Sequence, residues 1–130
     1  MVKIIAPLFV ILSKSAKGKK YHLNLNQYRN WHYIANNNVK KKYKELLSDQ
    51  LKELKFEGRI RLTYTLFRDT NRKGDKMNPL CVHDKFFCDA LVELDCIPDD
   101  TDAFIEDHIF KYGGVDKGNG RVEIVIEEIE

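Results

Sequence analysis

Nine residues, Arg59-Ile60-Arg61-Leu62-Thr63-Tyr64-Thr65-Leu66-Phe67, alternate in character with a period of two. Successive side chains of an extended chain point to opposite faces, so this segment is committed to a strand with one face buried. A lone strand cannot cover that face, and the rest of the chain must supply a sheet and something to pack on it. Val82, Phe86, Phe87, Ala90, Leu91 and Leu94 recur at helical spacing, which predicts a helix over roughly 82–94. Pro98 is expected to end it, because proline continues no hydrogen-bond ladder and biases Ile97 away from helical angles.

A second helix is expected from Gln27 to about Leu51, with Trp31, Ile34, Ala35, Val39, Tyr43, Leu46 and Leu47 on its apolar side. Upstream, Ile4 to Leu12 reads as a buried strand that ends in the β-branched run Leu8–Leu12, and Tyr21–Asn26 alternates as a second strand. Downstream, Phe104–Lys111 and Arg121–Ile129 read as strands joined by a turn rich in glycine, Gly113-Gly114…Gly118-Asn119-Gly120. The expected fold is therefore α+β, one domain over residues 1–130, with a mixed β-sheet packed by two main helices in the order β-β-α-β-α-β-β. A chain of this length suffices for one hydrophobic core and not for two.

The net charge of +2 conceals a strong asymmetry: residues 1–85 carry 19 Lys and Arg against 7 Asp and Glu, and residues 86–130 carry 3 against 13. The basic residues gather as Lys14, Lys17, Lys19 and Lys20, then Lys40, Lys41, Lys42 and Lys44, then Arg68, Arg72, Lys73 and Lys76. Such clusters suit a phosphate backbone, although each alone also describes a solvated face. Tyr28, Trp31, Tyr33 and Tyr43 could stack on bases, yet at helical spacing they read first as core.

Cys81, Cys88 and Cys96 are odd in number and lack a C-x-x-C spacing, which supports neither a disulfide framework nor a zinc site and fits a reducing, cytoplasmic compartment. The apolar run 4–12 is interrupted by Pro7, is followed by Lys14 where a signal cleavage site needs a small residue, and is too short to cross a bilayer. No membrane partner and no organic cofactor are expected.

Asp84, Asp89, Asp95, Asp99 and Asp100 crowd the segment around the predicted helix, with Lys85 the one cation among them. Clustered carboxylates suit a hard divalent cation such as Mg²⁺, which takes oxygen ligands from one or two carboxylates, water and phosphate; a solvated acidic helix end is the bland reading. Asp75…Asn78, Lys85, Asp89-Ala90-Leu91 and Asp99-Asp100, with the hairpin Asp116–Ile124, together resemble the RusA-like Holliday junction resolvases of phages and prophages. The resemblance covers most of the chain.

It implies a homodimer that cuts four-way DNA junctions in recombination and repair with Mg²⁺, or with Mn²⁺ in its place. On that basis Asp75, Asp99 and Asp100 are metal ligands and catalytic, Lys85 is the electrostatic stabiliser, and Lys14, Lys17, Lys19, Lys20, Arg68, Arg72, Lys73 and Lys76 contact DNA. Asp75 and Asn78 match the family's D-x-D-N motif, but Met77 stands where its second aspartate belongs, and soft sulfur does not ligate Mg²⁺. Asp84 either replaces that ligand or caps the helix N-terminus. Asp89 is a further ligand or pairs with Lys85 at i,i+4, and His83 is a base or a solvated neighbour. The alternative implied by Met77 is a branched-DNA-binding protein that has lost one metal ligand and with it catalysis.

Overall fold

The computed structural model describes residues 1–12, 18–72 and 74–129. Its elements are β1 (Val2–Ala6), β2 (Phe9–Ile11), β3 (Lys20–His22), α1 (Leu25–Tyr28), α2 (Tyr33–Leu51), β4 (Ile60–Arg68), α3 (Met77–Glu93), β5 (Ile105–Val115) and β6 (Arg121–Glu128). The fold is α+β. A four-stranded mixed sheet in the order β1-β6-β4-β5 carries the helices, and β2 and β3 form a separate hairpin. β4 and β5 run parallel, with α3 as their crossover, while β6 is antiparallel to both β1 and β4.

The alternation in β4 delivers what it promises: Ile60, Leu62, Tyr64 and Leu66 are buried, as are Val122, Ile124 and Ile126 of β6 and Ile4 and Ala6 of β1. Val39, Tyr43, Leu47 and Leu51 of α2 and Leu80, Phe86, Phe87 and Leu91 of α3 complete the core above that face. Each such side chain contributes about 1.5–3 kcal/mol through removal from water. The opposite sheet face holds an ion-pair lattice instead: Lys3 with Glu123 at 3.2 Å, Arg61 with Asp107 at 2.8 Å and Glu127 at 3.5 Å, and Arg121 with Glu123 at 2.9 Å.

Several boundaries differ from the sequence reading for identifiable reasons. The single strand expected over Ile4–Leu12 is two, split at Pro7, so that β1 joins the sheet and β2 pairs with β3. The strand expected over Tyr21–Asn26 stops at His22, because the Asn24 side chain caps α1 by accepting the Gln27 N–H at 2.9 Å. The helix expected from Gln27 is interrupted, with His32 Nδ1 accepting the Ile34 N–H at 3.3 Å at the head of α2, and Ile34 and Leu46 lie exposed. Pro98 does not end α3. Asp95 does so three residues earlier with φ 60°, turning the chain back so that the Cys96 N–H reaches the Leu91 carbonyl at 2.8 Å. Gly113 and Gly114 belong to β5 rather than to a turn: a Cβ on Gly113 would fall 2.6 Å from the Phe67 ring, where the β4–β5 register shifts.

Candidate functional site

Helix α3 starts at Met77, so Asp84 sits two turns inside it and cannot be its cap. The cap position is Lys76, which makes no side-chain cap hydrogen bond, and the carboxylate of the preceding Asp75 accepts the Met77 N–H at 2.6 Å. Cys81, Asp84 and Cys88 lie at i, i+3 and i+7, one stripe of the helix. That stripe meets Tyr64 of β4 and His108 of β5.

Asp84 Oδ1 collects three donors: the Tyr64 hydroxyl at 2.7 Å, His108 Nδ1 at 2.7 Å and the Cys88 thiol at 3.4 Å. An ionised carboxylate only accepts, which assigns a proton to His108 Nδ1. Asp84 Oδ2 has no hydrogen-bond partner among the described residues. Tyr64 is fully buried and its hydroxyl is pushed well above the usual phenol range, first by burial and then by Cys88 and Asp84, so it stays a donor. Burial, then Asp84, raises the Cys88 thiol in the same way. Among the described residues, Asp84, Cys88 and His108 are the group of potential metal ligands whose donor atoms lie within 4.8 Å of one another. The Asp84 and His108 side chains are 23% and 35% exposed, so the cluster opens to solvent.

No such group contains Asp75, Asp99 or Asp100, so the carboxylate set expected from the sequence is not assembled around Asp84. Burial first, then the charges of Asp84 and Asp75, raises the Cys81 thiol, and Asp100 adds the smallest of the upward pushes on Cys88. Asp99 accepts the Asp100 N–H at 2.8 Å and is exposed.

Lys85, one residue round the helix from Asp84, is exposed and lines a recess of about 200 Å³ with Tyr33, Lys40 and Asp89. Its side chain lines that recess together with residues of α2. Asp89 pairs with Lys40 of α2 at 3.0 Å rather than with Lys85. Lys44 likewise pairs with Glu93 at 2.9 Å, so this basic cluster docks one helix on the other. His83 is neither a site base nor a solvated neighbour. It is fully buried, 3.0 Å from the Tyr43 hydroxyl, and burial pulls its pKa from 6.5 to about 3.

At the carboxyl end of β4 a groove of about 400 Å³ is lined by Lys20, His22, Arg68, Arg72, Asp75 and Asn78, among others. Arg68 donates to the Asp75 carbonyl at 3.3 Å, and Asn78 Oδ1 accepts the Leu25 N–H at 3.1 Å, so the matched motif residues shape the groove wall. Lys19 lies 4.9 Å from the Tyr21 ring centre, and Lys76 is half-buried at the start of α3. Lys14, Lys17 and Lys73 lie outside the described residues. Met77, 46% exposed, projects at the helix start.

Sequence reasoning missed Tyr64, Cys88 and His108. The i,i+4 spacing of Asp84 and Cys88 was a usable signal. His108 arrives from another strand, and a C-x-x-C criterion is blind to ligands gathered across elements.

Neither the protein-family models nor the curated proteins compared with this sequence give a match. No helix among the described residues is long and apolar enough to cross a membrane. All three cysteines are free thiols.

Proposed function

We propose that this protein is a divalent-metal-dependent endonuclease of branched DNA, acting on four-way junctions as the RusA-like resolvases do, with Asp84 as its pivotal carboxylate. The observation that carries the proposal is the state of Asp84: one oxygen is held by Tyr64, His108 and Cys88 and the other has no protein partner among the described residues, and a carboxylate oriented by hydrogen bonds in this way suits a metal ligand. When bound, a divalent ion neutralises charge on the scissile phosphate and lowers the pKa of a bound water. Asp84 Oδ2 would be one hard oxygen ligand for Mg²⁺ or Mn²⁺.

Tyr64 orients the carboxylate from below. Lys20, Arg68 and Arg72, which line the groove at the carboxyl end of β4, would supply the positive charge that holds a phosphate backbone. Two copies of the chain suit the paired scissile phosphates of a four-way junction, and a cytoplasmic location suits the free thiols. The second reading, junction binding without cutting, draws on the dispersal of Asp75, Asp99 and Asp100. Incubating labelled four-way junction and matched linear duplex with Mg²⁺, Mn²⁺ or chelator separates the two: metal-dependent products from the junction support cleavage, and a retarded complex without products supports binding alone.

A further inference from the structure

We infer that Asp84, Cys88 and His108 form a Zn²⁺ site with three protein ligands and a fourth position open to water or a phosphate oxygen. The inference stands on the donor set and its geometry, and does not rest on the cleavage reading.

Carboxylate, thiolate and imidazole are the donors that Zn²⁺ takes, whereas two of the three are poor partners for Mg²⁺. Asp84 and Cys88 are one helical turn apart on α3, the spacing by which a helix presents two ligands to one ion, and His108 closes the set from β5. Tetrahedral Zn²⁺ with ordinary bond lengths places its oxygen and sulfur ligands about 3.6 Å apart and its oxygen and nitrogen ligands about 3.3 Å apart. The Cys88 and Asp84 donors already stand at 3.4 Å. His108 Nδ1, at 2.7 Å, needs to retreat by about 0.6 Å from Asp84 while staying within reach of Cys88, whose donor atom lies within 4.8 Å of it, and its side chain is 35% exposed.

A cation ligated by all three would sit between Asp84 Oδ1, Cys88 Sγ and His108 Nδ1; the thiol proton would leave to solvent and the imidazole would bind through an unprotonated Nδ1 with its proton on Nε2. Tyr64 then remains as the buried hydrogen-bond partner of the ligating carboxylate, as ordered metal sites require. With three protein ligands rather than four, the arrangement is that of an open zinc centre and not of a closed structural one.

The test uses the purified full chain, stripped with chelator and dialysed, then titrated with Zn²⁺ against a chromophoric competitor and separately with Co²⁺ followed by absorbance. One equivalent of Zn²⁺ is expected, together with a thiolate-to-Co²⁺ charge-transfer band in the near ultraviolet. His108→Ala and Cys88→Ala are each expected to weaken Zn²⁺ binding by about 100-fold or more, because losing merely a hydrogen-bond partner of a ligand already costs about 10–100-fold. Cys88→Ala should also abolish the charge-transfer band. Cys81→Ala, on the same stripe one turn away, should change neither readout. His108 is part-exposed, so its variant is the one expected to fold without difficulty, with circular dichroism as the check. Absence of the Co²⁺–thiolate band in the parent, or Zn²⁺ affinity unchanged in folded His108→Ala, overturns the inference whatever the outcome with DNA.

Discussion

Tyr64→Phe removes one oxygen atom from the floor of the site and leaves the ring where it is, edge-on to Phe87 at 6.0 Å and to Phe110 at 5.6 Å. What disappears is a 2.7 Å hydrogen bond to Asp84 Oδ1 from a fully buried hydroxyl. Hydrogen bonds to charged groups contribute about 1.5–3 kcal/mol net. Asp84 is 23% exposed and keeps its contact with His108, so the loss belongs at the lower end, about 1–2 kcal/mol. For a chain of this size that is a fall of about 4–7 °C in Tm. The same change unpins the carboxylate, and losing a partner of this kind typically lowers metal affinity by about 10–100-fold. Differential scanning calorimetry and a Zn²⁺ or Mn²⁺ titration read the two effects on one preparation. A variant as stable as the parent, with the same metal affinity, would show that the Tyr64–Asp84 bond neither holds the helix on the sheet nor orients a ligand.

Burial holds the folded-state pKa of His83 near 3 while the unfolded chain titrates near 6.5. The unfolded state therefore takes up the extra proton, and stability is intact above pH 6.5 and lost as pH falls towards 3, with a slope of about 1.4 kcal/mol per pH unit from this group. His83→Gln should flatten that part of the denaturant-monitored stability profile, whatever it does to absolute stability; an unchanged slope would remove His83 as the cause. Junction affinity is expected to fall roughly tenfold or more between about 50 and 200 mM salt, and Arg72→Ala to reduce the slope of log affinity against log salt by about 1, measured by fluorescence anisotropy. Lys40→Ala, which breaks the exposed pair with Asp89, should cost at most about 1 kcal/mol and leave that slope alone; equal effects of Lys40→Ala and Arg72→Ala would move the DNA surface from the groove to α2.

The parts of the fold that were legible are those governed by local periodicity. The alternation at 59–67 and the helical face from Val82 to Leu94 became β4 and most of α3, because burial follows directly from those patterns. The bounds of α3 were not legible. Its first turn is set by Asp75 reaching the Met77 N–H, and its end by Asp95 adopting a left-handed backbone, and neither depends on hydrophobic spacing.

The candidate site divides the same way. Asp84 was read as either a replacement ligand or a helix cap; the structure rules out the cap and gives it a buried hydroxyl, an imidazole and a thiol for partners. Lys85 and Asp89 were grouped with it because they are close in sequence. On a helix the next residue turns about 100° away, and Lys85 faces the α2 side. The lysines of α2 looked like a nucleic-acid surface because sequence shows charges without their partners; Asp89 and Glu93, some fifty positions away, neutralise two of them.

The most direct measurement is the rate at which the parent and Asp84→Asn nick a labelled four-way junction in Mg²⁺ or Mn²⁺, with junction binding followed in the same samples. If Asp84 holds the ion that the chemistry needs, the parent cuts only with metal present. The variant then binds the junction at least as tightly but cuts at least about 100-fold more slowly. Cleavage by Asp84→Asn at the parental rate, or no cleavage by the parent in any divalent metal, would contradict a metal-dependent endonuclease built around Asp84.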